Sequence, residues 1–142
     1  MNDQIPERQV YFYGIASSYT HECIEIAERA GVSIAGFIHN KPEIDYPNDL
    51  EPIFLPDQIH DCSRDIPVVI PLITPGFRRI LEAELLNLGF NEFFDLIHPS
   101  ALIARTVKWE KGLNVNAGVV IGAKTTIGKH VLINRSASIG HD

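Results

Sequence analysis

Residues 97–142 read IHPSALIARTVKWEKGLNVNAGVVIGAKTTIGKHVLINRSASIGHD, and their periodicity decides the fold of the C-terminal part. Stepping by six from Ile97 meets Ile103, Trp109, Val115, Ile121, Ile127, Ile133 and Ile139, all apolar. In a chain that is 45% hydrophobic, so long a match in one phase arises by chance on the order of once in several hundred trials. A period of six fits neither the α-helical nor the strand repeat. It fits a triangular coil whose sides are short strands and whose aliphatic residues point inward. The next residue is repeatedly Asn or Gly (Asn116, Gly122, Gly128, Asn134, Gly140), which suits corners with unusual backbone angles. Ala101, Val107, Leu113, Val119, Thr125, Val131 and Ala137 form a second row of mostly small or β-branched residues. Hairpins would need turn signals every eight to twelve residues, and these are missing. Trp109 is the odd member, too wide for a narrow prism, and marks an irregular first coil.

Upstream, residues 1–96 alternate strand-like and helix-like patterns. Gln9–Ile15 (QVYFYGI) is rich in β-formers. Thr20 can cap a helix whose apolar positions are Cys23, Ile26, Ala27 and Ala30, closed by Gly31 as its C′ residue. Ser33–Ile38, Ile53–Leu55 and Pro67–Ile70 read as further strands, and a Pro-rich polar loop fills Lys41 to Pro52. Thr74-Pro75 starts a second helix with an apolar face of Phe77, Ile80, Leu81, Leu85 and Leu88. Glu92–Ile97 supplies a last strand. The fold class expected is a small Rossmann-like parallel α/β domain over 1–96, followed by the first coils of a left-handed parallel β-helix over 97–142.

Composition narrows the function. The net charge is −6 and no run of Lys and Arg forms a stripe, which argues against nucleic acid and anionic membrane. The apolar runs are too short to span a bilayer, and the polar start of the chain is no signal peptide. Cys23 and Cys62 have no paired spacing, so neither a disulfide framework nor a metal site is expected, and the cytoplasm is the natural compartment. Cys62 and the nearby His60 read as two loop residues.

Two segments carry a family resemblance. Ile97-His-Pro-Ser-Ala101, followed by hexads and then by Asn134-Arg-Ser-Ala-Ser-Ile-Gly-His141-Asp142, resembles the sialic-acid and bacillosamine O/N-acetyltransferases. The YFYG strand, the helix ending in Ala-Gly and the GFI second strand agree with it. The resemblance implies transfer of acetyl from acetyl-CoA, as cosubstrate, to a sugar amine or hydroxyl in surface-glycan biosynthesis, by a homotrimer. His141 then looks like the general base, which an imidazole suits because it titrates near neutrality. Asp142 would fix the imidazole tautomer, and Asn134 would face the same cleft. His98 would hydrogen-bond at the domain corner, and His130 would sit on the surface.

For the N-terminal half, the resemblance implies a nucleotide-sugar pocket with the diphosphate at the first turn, Gly14-Ile-Ala-Ser-Ser-Tyr-Thr20. Gly14 is the glycine that remains there, and Ser17 and Ser18 could donate hydrogen bonds. The second strand ends in His39-Asn40 where an acidic pair is usual, and Arg78 matches a basic position. No G-x-G-x-x-G occurs, so a dinucleotide dehydrogenase is disfavoured.

The hexads run from 97 to 139, about two and a third coils, whereas solenoids need roughly three repeats and a cap. Members of the resembled family continue through more coils, which form much of the acetyl-CoA cleft between subunits. The expectation is therefore a truncated and inactive form of a longer enzyme. The competing expectation is a non-catalytic module that binds a sugar nucleotide or other small ligand and uses a residual β-helix for assembly.

Overall fold

The strand β1 (Gln9–Tyr13) sends Val10 and Phe12 to one side and Tyr11 and Tyr13 to the other, and both sides are buried. Such two-sided burial belongs to a central parallel strand covered by helices. The computed structural model, which describes residues 7–141, bears this out. A four-stranded parallel sheet runs in the order β3 (Ile53–Phe54), β2 (Ser33–Ile38), β1, β4 (Val68–Val69). This order matches the start of a doubly wound sheet, but only the β1–β2 crossover is an α-helix. Helix α1 (Tyr19–Arg29) packs Tyr19, Cys23, Ile26 and Ala27 against Val10 and Phe12. Its N-cap is Ser18, two residues before the expected cap. Thr20 instead sends its hydroxyl back to the Ile15 carbonyl, 3.2 Å away. Gly31 ends the helix as expected, with φ +67°.

Helix α2 (Pro75–Asn87) covers the opposite face of the sheet, and here the sequence reading needs correction. Its buried residues are Arg78, Leu81, Glu82 and Leu85, while Phe77 and Ile80 are each 53% exposed. The helix is rotated by about one residue from its apolar stripe, because Arg78 and Glu82 have partners in the second unit. The last strand expected for the α/β half is also different. Phe93 makes a single bridge to Val68, whereas β5 (Leu96–Ile97) joins the coils instead.

The C-terminal part is a triangular parallel β-helix. Its two-residue strands are β5, β6 (Leu102–Ile103), β7 (Lys108–Trp109), β8 (Asn114–Val115), β9 (Val120–Ile121), β10 (Thr126–Ile127), β11 (Leu132–Ile133) and β12 (Ser138–Ile139). They form three sheets: β5-β8-β11, β6-β9-β12 and β7-β10. Every pairing joins residues eighteen apart, as Leu96 with Asn114 and Asn114 with Leu132. Val115, Ile121, Ile127 and Ile133 are buried with Val107, Leu113 and Val119, and Ile97, Ile103 and Ile139 pack against them. Trp109 departs from the row. Its indole lies outside, 39% exposed, and donates to Asp95 Oδ2 at 2.8 Å.

The left-handed residues of the corners are not those of the Asn and Gly row. Left-handed backbone occurs at Gly112 (φ +78°), Gly118 (+70°), Lys124 (+63°), His130 (+54°) and Ser136 (+58°), again in steps of six. Gly122 is needed for a different reason. A Cβ there would lie 2.9 Å from the backbone carbon of Gly140, so the next coil could not seat.

Candidate functional site

A cleft of about 470 Å³ opens at the C-terminal ends of β1 and β4. In open α/β sheets this is where ligands bind, because connections leave the switch point in opposite directions. Gly14, Ala16 and Ser17 form one wall and Asn40, Lys41 and Ile44 a second, while Leu72, Ile73, Thr74, Phe77, Ile80 and Leu81 close the third. Gly14 is fixed here twice over. It has φ +82°, and a Cβ would come within 2.4 Å of Leu81 Cδ1. Asn40 donates from Nδ2 to Glu84 Oε2 at 2.9 Å, beside the Tyr13 hydroxyl, which donates to the same oxygen at 3.0 Å. Burial, and next the Glu84 charge, push the Tyr13 phenol up, so it stays protonated. Lys41 Nζ stands 5.9 Å from the centre of the Phe77 ring at the mouth.

Of the proposed ligand contacts, Gly14, Ser17 and Asn40 line this cleft, and Ser18, His39 and Arg78 do not. His39 is 1% exposed, with Nε2 2.9 Å from the Ile44 carbonyl and its ring against Tyr46, so it anchors the following loop. The apolar wall of Ile73, Phe77 and Ile80 was missed because amphipathicity had assigned Phe77 and Ile80 to the core.

Arg78 is turned away from the cleft and joins the two units. It is 2% exposed, and its guanidinium donates to the carbonyls of Ile70 (2.7 Å), Leu72 (2.9 Å), His130 (2.8 Å) and Gly112 (3.1 Å). Burial lowers its pKa from the usual arginine value. One turn on, Glu82 accepts from Lys129 Nζ at 2.9 Å and lies 3.3 Å from His130 Nε2. His130, expected at the surface, is only 7% exposed in its side chain and packs edge-on against Phe93. Its left-handed corner directs the ring inward over Gly112, where a Cβ would collide with it.

Burial depresses the His130 pKa, against the pull of Glu82. Burial raises that of Glu82, but the Lys129 hydrogen bond and the neighbouring positive charge outweigh it and leave the carboxyl low. Both groups hold protons less tightly than in the unfolded chain, so stability is full at neutral pH and falls with acid. The loss begins below about 6.5, where an unfolded histidine titrates. The melting temperature should therefore decline from pH 7 to 5, before the carboxylates respond. His130→Asn tolerates the left-handed corner and should flatten that decline in a thermal denaturation series. An unchanged slope would remove His130 as its source.

On the β-helix, Asn134 closes the β11 side and His141 stands at the next corner, beyond β12. Both are exposed. Asn134 Oδ1 accepts from the Arg135 backbone at 2.8 Å and from Asn116 Nδ2 at 3.2 Å. The Gly140–His141 backbone rests on Gly122, with Thr125 Oγ1 2.9 Å from both the Gly122 and Gly140 carbonyls. Asp142 lies outside the described residues. His98 organises the first corner, accepting the Ser100 backbone N–H on Nδ1 at 3.0 Å.

No family model matches the chain, and neither does any curated protein. Solved structures do. The acetyltransferase domain of PglB from Neisseria gonorrhoeae, in complex with acetyl coenzyme A, superposes with a TM-score of 0.78 at 21% identity, covering 96% of this chain and 66% of that one. PerB from Caulobacter crescentus, in complex with CoA and GDP-perosamine, gives 0.79 at 25% identity, with 94% and 63% covered. A histidine-to-alanine mutant of GDP-perosamine N-acetyltransferase from the same organism, again with CoA and GDP-perosamine, gives 0.79 at 24%, with 94% and 63% covered. The fold is that of the hexapeptide-repeat sugar acetyltransferases. The chain spans about two thirds of the length of these structures.

Within this acetyltransferase fold, the two cysteines are poor nucleophiles. Cys23 is fully buried, and burial pushes its thiol up to about 12. Cys62, a loop residue in the sequence reading, is buried under the sheet, and burial raises its thiol too. Thiolate chemistry needs the opposite environment. Among the described residues no cluster of His, Cys, Asp and Glu could hold a metal, and no helix is long and apolar enough to cross a membrane.

Proposed function

We propose that this chain belongs to an acetyl-CoA-dependent sugar acetyltransferase acting on an amino or hydroxyl group of a nucleotide-linked sugar, in surface-glycan biosynthesis in the cytoplasm. The observation that carries the reading is the agreement over 94% of the chain, at 25% identity, with a protein held with CoA and GDP-perosamine. On this reading the N-terminal unit is Rossmann-like and the coils are left-handed. The cleft fits a nucleotide. The Ser17 hydroxyl suits a diphosphate oxygen, Lys41 supplies countercharge, and the Phe77 wall suits a flat base.

In the chemistry proposed, His141 removes a proton from the sugar amine or hydroxyl as that atom attacks the thioester carbonyl carbon. The tetrahedral adduct then collapses, the carbon–sulfur bond breaks, and the imidazolium returns its proton to the departing CoA sulfur. Asp142 holds the tautomer, and Asn134 contacts the reacting groups. Asn134 and His141 flank β12, and on this reading a neighbouring subunit of a homotrimer completes the site. Leu102 and Val120, 68% and 42% exposed on the β6-β9-β12 side, supply an apolar face for such contact. Sedimentation at tens of micromolar should give a trimer, and Leu102→Glu should shift it toward monomer. A monomeric wild-type chain would remove the trimer.

Titration calorimetry with GDP-perosamine, a UDP-linked amino sugar and acetyl-CoA tests the reading itself. The nucleotide sugars should bind, and Phe77→Glu, at an exposed position, should weaken them about tenfold or more. Failure of every nucleotide sugar to bind would sink the acceptor assignment. Binding without transfer, even by a chain extended with further coils, would favour the non-catalytic module.

A further inference from the structure

One backbone group sets the direction of a buried hydrogen-bond chain that ends at Asn134. The Arg135 N–H can only donate, so the atom of Asn134 that it meets at 2.8 Å is the carboxamide oxygen. Asn116 lies one coil below, is 1% exposed, and must therefore approach the same oxygen with Nδ2, at 3.2 Å. That leaves its own Oδ1 toward Tyr19, whose hydroxyl donates at 2.5 Å. Tyr19 is 6% exposed, and burial raises its pKa, so the phenol keeps the proton that the chain requires. Tyr19 is also the first residue of α1, and its backbone N–H donates at 3.2 Å to Ser17 Oγ, on the cleft wall.

With Oδ1 occupied twice from below and beside, Asn134 is left with its NH₂ group outward, on an exposed corner. We propose that Tyr19 and Asn116 are positioning residues that hold Asn134 as a hydrogen-bond donor, so that the ligand atom it meets is an acceptor oxygen, a hydroxyl or carbonyl. The inference rests on the acetyltransferase reading for the identity of that ligand, but not for the orientation of the amide. An attacking amine has N–H groups that need acceptors and a lone pair committed to the carbonyl carbon. A donor at Asn134 suits instead a neighbouring sugar hydroxyl or the thioester oxygen as it gains charge. The chain also ties this donor to the α1 turn at the cleft through one buried phenol.

The test uses nitrogen-15 spectra of the 142-residue chain, with the Asn134 side-chain NH₂ pair assigned by its loss in Asn134→Asp. Tyr19→Phe removes one proton and little volume, and Asn116→Leu removes the relay in a shape the site can hold. Both should move the Asn134 NH₂ resonances, with the remaining backbone spectrum kept as the check on folding. Unmoved Asn134 resonances in two folded variants would overturn the proposal. In a chain that transfers acetyl, Asn116→Leu should lower kcat about tenfold with little change in the KM for acetyl-CoA, and should add almost nothing in an Asn134→Ala background. An equal loss in that background would show a merely structural role and also overturn it. Absence of transfer in every chain would count against the functional reading, and the resonances would then decide this one alone.

Discussion

Arg78→Met should lower the stability of the chain by about 3–5 kcal/mol, the upper range for the loss of a buried hydrogen-bond network. For a domain of this size that is a fall in melting temperature of about 10 °C or more. The reason is the partner set. The four carbonyls the guanidinium serves come from the β4–α2 turn and from two corners of the β-helix, at Gly112 and His130. Methionine fills much of the same volume but leaves these acceptors buried without donors, which is the origin of the loss. Arg78→Lys should recover part of the loss, since an ammonium keeps the charge but cannot spread planar donors over four oxygens. A melting temperature within about 2 °C of wild type would mean that water replaces the guanidinium and that the joint does not depend on it.

The same residue marks the limit of what the sequence discloses. The hexads were legible because a prism interior admits only apolar residues at fixed steps, and seven of the eight six-spaced residues pack inward. Trp109 was rightly set apart by its size. The order of strands and helices was also legible from turn residues and β-formers. The orientation of α2 was not. A stripe of Phe77, Ile80, Leu81 and Leu85 looks like a core face when water is the only alternative. Arg78 and Glu82 displaced it because their partners, the corner carbonyls and Lys129, come from another part of the chain. Periodicity carries no information about such long-range pairing.

The left-handed positions were misplaced for a related reason. Gly and Asn after five of the aliphatic residues suggested left-handed backbone there, yet it lies at Gly112, Gly118, Lys124, His130 and Ser136. Gly122 is small because the chain above passes close to it, which is a packing demand rather than a dihedral one. The cleft shows the same division. Gly14, Ser17 and Asn40 were found because turns and strand ends declare themselves locally. Phe77 and Ile80 were missed because an apolar ligand wall and an apolar core face have the same composition.

His141→Ala should lower turnover by about 10²–10⁴, the usual range for a lost general base. The assay is best made on a chain extended by further hexad coils, since the structures with bound CoA or acetyl-CoA are about half as long again as this chain. His141 follows Gly140 at a corner whose backbone is seated on Gly122 and Thr125. The KM for acetyl-CoA should stay nearly unaltered, because a proton acceptor for the sugar does not hold the cosubstrate. Asp142→Asn should cost less, since the role proposed for Asp142 is to orient the imidazole, not to take the substrate proton. Asn134→Ala should lie between the two if its amide meets the reacting oxygen. Steady-state rates at saturating acetyl-CoA, with the nucleotide-linked sugar varied, separate these cases. Undiminished turnover in the His141→Ala protein would remove the proposed base and leave acetyl transfer by this fold without a mechanism at that corner.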